Sequence, residues 1–132
     1  MLNEKIKYPL YLQLIHALLC IIWNLAGLGL ISAGLAPLGP VASWAVVVAC
    51  AIMGGLLWWG ARSLLWLYVL VTILQLLLSM NAVISPFIKD PALWVYASGR
   101  FAGLAINLVG VVATLWGLGL CVKFKGTLAK NS

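Results

Sequence analysis

The feature that most constrains this chain is the long stretch between Lys7 and Arg62, in which no side chain carries a full charge at neutral pH. A helix that crosses the hydrocarbon core of a bilayer needs about 20 mostly apolar residues, so this stretch is long enough for two such helices. The second half of the chain repeats the pattern with breaks. Because 65% of the residues are hydrophobic and 8% are charged, the composition also lies far from that of a soluble domain. The sequence therefore predicts an integral membrane protein.

Turn-forming residues divide the chain into four predicted spans. Two prolines and a glycine between Ala36 and Pro40 end the first span, and a short basic turn at Arg62 joins the second to the third. Pro86 and Pro91 interrupt the longest loop. We predict an all-α four-helix membrane bundle in a single transmembrane domain, residues 1–132, with spans at residues 10–35, 41–60, 64–84 and 99–121 and an outer loop at residues 85–98.

Basic residues are concentrated at one end of the predicted spans, and such residues accumulate on the cytoplasmic side of short loops. Only Lys89 and Arg100 lie at the opposite end. The other six are Lys5, Lys7, Arg62, Lys123, Lys125 and Lys130. This distribution predicts that the N-terminus and the C-terminus are both cytoplasmic, in contact with anionic lipid head groups. It explains the net charge of +6 without nucleic-acid binding.

Small and polar residues recur along each predicted span at intervals of three or four, most regularly in the fourth. Residues at this interval lie on one face of a helix. Lipid tails give helices no hydrophobic reason to associate, so small residues usually mark the faces where transmembrane helices meet. The residues predicted to pack helices together are Gly27, Gly54, Gly103, Gly110, Thr114 and Gly117.

Three carboxamides, Asn24, Gln75 and Asn107, are predicted at a similar depth, each roughly 17 to 21 Å from the cytoplasmic end of its helix at 1.5 Å per residue. Leaving an amide without a hydrogen bond in hydrocarbon is unfavourable. The three amides are therefore expected either to hydrogen-bond to one another, which we favour, or to line a small wet cavity.

Three further polar residues belong to the predicted bundle interior as candidate binding residues: Gln13, His16 and Arg100. His16 is the only histidine, and no carboxylate lies within a span to relay a proton to it, so a packing role is favoured. Arg100 begins the fourth span and has three options: its head group snorkels outward, pairs with Asp90 or binds an anion at the mouth of the bundle. Asp90 alternatively caps a short helix that begins at Pro91.

No constellation for catalysis or metal binding is recognisable. Hydrolysis or group transfer needs a nucleophile with its base, paired carboxylates or a metal cluster. Cys20, Cys50 and Cys121 lack the CxxC spacing of zinc or redox sites, and Cys20 four residues after His16 is the nearest approach to a reactive pair. The sequence therefore predicts a protein that is not an enzyme and needs no metal or other cofactor.

The layout of the chain carries a resemblance. With Trp23-Asn24 in the first span, a glycine-rich second span, a short basic turn and a longer outer loop, it resembles small uncharacterised four-span bacterial inner-membrane proteins, some of which are labelled transporters. The resemblance implies a multi-pass protein of the bacterial inner membrane. The small multidrug resistance exporters are similar in length and span count but depend on a glutamate in the first span, which is missing here.

Two functions remain open from the sequence. The first is helix association, as an accessory or assembly subunit of a membrane complex or as a homo-oligomer, and the small-residue faces favour it. The alternative is a small transporter or facilitator for a neutral or anionic solute, with Asn24, Gln75 and Asn107 at mid-membrane and Arg100 at the outer entrance. Four helices barely enclose a path, so the alternative predicts a dimer or a larger assembly.

Overall fold

The structure is a computed structural model that describes the backbone of residues 2–130 and the side chains of residues 4–123. It contains the helices α1 (Leu2–Lys5), α2 (Lys7–Ser32), α3 (Trp44–Ser63), α4 (Leu65–Ile88) and α5 (Ala97–Lys130), with a short 3-10 helix at Pro91–Leu93. In length and composition, α2, α3, α4 and α5 are each able to cross a membrane. The all-α four-helix prediction is therefore confirmed, and the chain is a multi-pass membrane protein.

The four long helices form a ring in which α2 packs against α3 and α5, and α4 packs against the same two helices from the other side. Neighbouring helices are antiparallel, so α2 begins and α5 ends at the same end of the bundle. We call this the terminal end, and we call the opposite end, where α2 leads into α3 and α4 into α5, the far end. Which end faces the cytoplasm stays a prediction.

The end of α2 is set by a glycine rather than by the prolines that follow. The helix ends at Ser32, three residues before the predicted end of the span. Gly34 adopts a φ of 74°, its N–H donates to the Ile31 carbonyl, and the Leu35 N–H donates to the Leu30 carbonyl at 2.9 Å. This is the Schellman arrangement that ends helices at a left-handed residue.

A serine cap sets the start of α3, three residues later than the predicted start at residue 41. The Ser43 hydroxyl accepts a hydrogen bond from the Val46 N–H at 3.2 Å, so the regular helix begins at Trp44. At its other end α3 continues through the predicted basic turn to Ser63, and Leu64 alone separates it from α4. The hairpin between α3 and α4 is therefore tighter than predicted.

The outer loop is shorter than the predicted residues 85–98. The helix α4 continues through Pro86 to Ile88, and α5 already begins at Ala97. Proline removes one backbone N–H and usually ends a helix, but here it lies in the last turn, where a single missing hydrogen bond does not stop the helix. The segment that connects the two helices therefore consists of residues 89–96.

The small-residue face of α5 packs against helices of the same chain. A Cβ added to Gly110 would lie 2.6 Å from Nε2 of His16, and a Cβ added to Gly117 would collide with the Tyr68 hydroxyl. Thr114, between these glycines, is fully buried. The glycines therefore permit close approach of α5 to α2 and α4, which is the packing role expected of small residues in membrane helices.

The other predicted packing glycines also lie at contacts within the chain. A Cβ on Gly27 would lie 2.7 Å from Cβ of Ala42, whereas one on Gly54 or Gly103 would have ordinary van der Waals contacts at 3.6 Å or more. The neighbour of Gly103 is the ring of Trp23. Of these three positions, only Gly27 therefore requires the absence of a side chain.

Candidate binding site

A layer of fully buried polar side chains connects α2 to α4 in the terminal half of the bundle. The Gln13 amide donates from Nε2 to Oγ1 of Thr72 at 3.0 Å and accepts through Oε1 from the Tyr68 hydroxyl at 2.8 Å. All three side chains have no exposed surface. We call these three residues the Gln13 layer. Because each polar group has a partner, the layer stabilises the closed packing of this half of the bundle.

His16 lies next to this layer and joins three helices. Its Nδ1 accepts a hydrogen bond from Nε2 of Gln75 at 2.9 Å, and the same amide nitrogen also donates to the Gln13 carbonyl at 3.1 Å. An amide nitrogen can only donate, so the network assigns the ring proton of a neutral His16 to Nε2. That atom faces Oδ1 of Asn107 at 3.5 Å and the Cys20 sulfur at 3.4 Å.

The three predicted carboxamides do not hydrogen-bond to one another, so the arrangement we favoured from the sequence is wrong. His16 lies between Gln75 and Asn107, while Asn24 donates to the Cys20 carbonyl at 2.9 Å and accepts from the Ser43 N–H at 3.2 Å. The N–H of a residue that caps a helix has no partner within the helix. Asn24 therefore accepts a hydrogen bond from the backbone before α3 and does not bond to the other amides.

A cavity of about 750 Å³, which we call the central cavity, lies between α3 and α4 and reaches α2 and α5. Gly60 and Tyr68 hold α3 and α4 close together at the terminal end, and the cavity occupies the space between the two helices beyond that contact. Apolar side chains of α3 and α4 form most of its wall. Its polar lining groups belong to His16, Cys20, Asn24, Gln75, Ser79, Asn81 and Asn107.

The central cavity opens laterally, through the side of the bundle that would face lipid in a membrane. Its wall includes Leu70, Leu74 and Leu78, which follow one another at intervals of four along α4 and are each about half exposed on the surface of the bundle. Ile52 of α3 also lines the cavity and is 58% exposed. An apolar molecule in the bilayer would therefore enter the cavity between exposed side chains, without passing through a layer of backbone.

Two buried polar atoms of the cavity wall have no hydrogen-bond partner in the protein, namely Oε1 of Gln75 and Oγ of Ser79. Both side chains are at least 99% buried. An amide oxygen only accepts, whereas a hydroxyl both accepts and donates. Both atoms have almost no exposed surface, and the Ser79 hydroxyl lies against α5, where a Cβ added to Gly110 would be 2.6 Å from it. The protein therefore encloses these two atoms instead of presenting them to the cavity, and leaving them without partners is unfavourable.

A second, smaller cavity of about 210 Å³ lies at the far end, and we call it the vestibule. Lys89 and Arg100 contribute its cationic groups. Arg100 donates from Nη2 to the Pro86 carbonyl and lies 6.0 Å from the centre of the Trp94 ring. Asp90 instead caps the 3-10 helix, as predicted, by accepting from a main-chain N–H at 2.9 Å. Of the options expected for Arg100, the pair with Asp90 is therefore not formed.

The vestibule adjoins the central cavity. The residues that line both are Trp23, Val41, Asn81, Ala82, Gly103 and Asn107. Asn107 lies at this junction and contacts His16 on its inner side. The structure thus brings five of the six predicted binding residues to one connected region: Asn24, Gln75, Asn107, His16 and Arg100. Gln13 lies behind the cavity in the closed layer.

Several lining residues were not predicted from the sequence. Ser79 follows Gln75 by one helical turn, and the sequence places it on the same polar face, but it was not among the candidate binding residues. Trp23 was read only as part of the span pattern, although it lies between the two cavities and contacts Gly39 and Gly103. Asn81 lies off the polar face of α4, and no periodic signal in the sequence indicates its role.

Side chains 4–123 contain no group of three His, Cys, Asp or Glu residues arranged to hold a metal ion. No protein-family model, curated protein sequence or solved structure matches this chain. The fold and the two cavities are therefore the basis for its class: a small multi-pass membrane protein with a largely apolar cavity inside its helix bundle.

Proposed function

We propose that this protein is a small transporter or facilitator that binds its solute in the central cavity. The observation that carries the proposal is that the vestibule at the far end adjoins a cavity deep in the bundle, with six residues lining both. Binding sites near the bilayer midplane are typical of transporters. Asn81 and Asn107 lie where the vestibule meets the central cavity, and they supply amide groups to the wall of both.

The closed terminal half supports a one-sided conformation. The Gln13 layer and the fully buried side chains of Ile6 and Leu57 fill the bundle between the central cavity and the terminal end. Transporters with a single midplane site expose it to one side at a time. Passage to the terminal side would therefore require the Gln13 layer to separate, and the side chains of this layer would then need water or solute as partners.

The proposal is tested by the reactivity of two native cysteines. Cys20 lines the central cavity, whereas Cys121 is buried and lies outside both cavities. We expect a membrane-impermeant thiol reagent to modify a variant that keeps only Cys20 when it is added on the side of the far end. From the other side the reaction should be slower. A variant that keeps only Cys121 should react from neither side and serves as the control.

The same experiment examines orientation. We propose that the chain lies in a bacterial inner membrane with both termini cytoplasmic, on the distribution of its basic residues. In that orientation Cys20 reacts in right-side-out vesicles more rapidly than in inverted ones. The reverse preference would contradict the orientation but not the one-sided cavity. Equal, slow modification of Cys20 and Cys121 from both sides would contradict the proposed function.

Replacing Ser79 with alanine is expected to leave the stability of the fold unchanged or raise it by up to about 1 kcal/mol, because the variant removes a buried hydroxyl that has no partner. The control is Thr72→Val, which has a similar shape but leaves the Gln13 amide without its acceptor, so it should lower stability. Melting temperatures of the two variants in detergent measure the difference. A loss of stability in Ser79→Ala would show that its hydroxyl has a partner after all.

Association with another chain is the second candidate function, as a homo-oligomer or as a subunit of a larger complex. The lateral opening beside Leu70, Leu74 and Leu78 favours it, since an apolar helix of a partner would fit against these exposed side chains. The small-residue faces support it less than expected, because they are used within the chain. Native mass spectrometry after gentle extraction tests it: a stable foreign partner would favour a subunit, and release alone would count against association. A self-dimer fits a homo-oligomer and the transporter alike, and the reactivity of Cys20 then distinguishes the two.

A further inference from the structure

All of the charged side chains that line the vestibule are basic. Lys89 and Arg100 are the charged residues that line it, and its lining contains no acidic side chain within the described part of the chain. The nearest carboxylate in sequence, that of Asp90, is engaged by the Ala92 N–H at 2.9 Å. A vestibule of this composition attracts an anionic group and disfavours a cation.

The guanidinium of Arg100 is held in place with most of its donors available. One hydrogen bond to the Pro86 carbonyl and the neighbouring Trp94 ring position the group. A guanidinium has five N–H donors in a fixed fork that matches a carboxylate or a phosphate. Lys89, which is exposed, adds an ammonium group to the same vestibule. Together the two residues provide the chemistry that recognises a phosphate or carboxylate head group.

The central cavity offers complementary chemistry to a hydrocarbon chain. It begins at the inner wall of the vestibule, continues between α3 and α4, and opens along Leu70, Leu74 and Leu78 of α4. Its volume of about 750 Å³ lies within the range of small-molecule sites, roughly 300 to 1,000 Å³. A hydrocarbon chain in this cavity would run parallel to the helices, as the acyl chains of the surrounding lipids do.

We propose that the solute is an anionic amphipath, whose head group binds Lys89 and Arg100 in the vestibule and whose hydrocarbon chain enters the central cavity through the opening between α3 and α4. This inference rests on the proposed function and names its class of solute. The head group lies at the level of the interface and the chain lies in the hydrocarbon, so the ligand keeps the orientation that it has in the bilayer.

The test measures lipid retention by native mass spectrometry, with the full-length protein equilibrated in micelles that contain equal amounts of phosphatidylglycerol and phosphatidylcholine. We expect the wild type to retain phosphatidylglycerol preferentially. Replacing both cations, Lys89→Gln with Arg100→Gln, should reduce this retention about tenfold, which corresponds to the loss of a charge-assisted hydrogen bond. Lys89→Gln alone changes only an exposed side chain and should give a smaller reduction in a protein that remains folded.

The matched control is Arg62→Gln, which removes a cation at the other end of the bundle, where its guanidinium lies 3.7 Å from the centre of the Trp58 ring. It should leave retention unchanged. Leu74→Trp, which narrows the lateral opening, should reduce lipid retention without removing a charge. Millimolar inorganic phosphate should not displace the lipid, because phosphate has no hydrocarbon chain to occupy the central cavity.

Equal losses in Arg62→Gln and in the double variant would overturn the proposal, since they would indicate general attraction to a basic protein. Complete displacement by inorganic phosphate would also overturn it and would assign the vestibule to a soluble anion. Failure of the proposed function gives a different result: the lipid is retained, but Cys20 shows no difference in reactivity between the two sides. Preferential Cys20 labelling without lipid retention would keep the transporter and exclude an amphipathic solute.

Discussion

Replacing Gly60 with alanine is expected to destabilise the protein by about 2 to 3 kcal/mol, a typical cost for inserting atoms into a well-packed interior. A Cβ at this position would lie 2.6 Å from the backbone nitrogen of Tyr68 and 3.0 Å from its Cα. Both are main-chain atoms, so no side-chain rotation relieves the overlap. Because Leu64 alone separates the two helices, α4 would have to move as a whole.

Gly55→Ala is the matched control on the same helix, since a Cβ there would meet nothing within 4 Å. Alanine has the higher helix propensity, so this variant should be more stable than the wild type by up to about 1 kcal/mol. The midpoint of unfolding in mixed micelles with rising dodecyl sulfate content measures both changes. Similar changes in the two variants would show that the close contact between α3 and α4 is not needed.

The four spans could be predicted because hydrocarbon imposes a simple requirement on sequence. A spanning helix must be long, apolar and uninterrupted, and the charge-free stretch before Arg62 satisfies this without any knowledge of packing. The ends of the helices depend on local chemistry instead. The left-handed Gly34 and the cap at Ser43 lie beside prolines, which seemed from sequence to be the stronger signals.

The polar faces of α2 and α4 could also be predicted, because residues at intervals of three or four share one side of a helix. The hydrogen-bond partners of these polar residues could not be predicted. Helical depth placed Asn24, Gln75 and Asn107 in one layer, yet the rotation of each helix decides which groups meet, and it directs Gln75 and Asn107 to His16. Rotation follows from packing against neighbouring helices and is not contained in the pattern of any one helix.

A small cavity lined by Asn24, Gln75 and Asn107 was one of the two arrangements expected from the sequence, and all three residues line the central cavity. Its position and shape could not be predicted, for a related reason. It exists because α3 and α4 touch at Gly60 and Tyr68 and enclose open space farther along. A hairpin with a single connecting residue fixes that contact, while the distance between the helices at the far end depends on the whole ring. The sequence contained the polar lining of the cavity but not the shape that makes it accessible.

Replacing Gln13 with leucine is the second change with a large expected effect, a loss of about 2 kcal/mol in stability. The variant leaves the buried Tyr68 hydroxyl without its acceptor and the Thr72 hydroxyl without its donor, and each buried group without a partner costs about 1 to 3 kcal/mol. In membranes such bonds contribute less, about 0.6 kcal/mol on average, which places the estimate near the lower limit for two groups. The midpoint of unfolding in mixed micelles measures the loss.

The control is the double variant Gln13→Leu with Tyr68→Phe, which should be more stable than Gln13→Leu alone because it removes the hydroxyl that was left without a partner. Additive losses in the two single variants would instead indicate independent packing effects. The layer also separates the central cavity from the terminal end, so Gln13→Leu should make Cys20 more reactive towards an impermeant thiol reagent added at the terminal side. Lower stability without greater reactivity of Cys20 would mean that the layer holds the helices together but does not close the cavity.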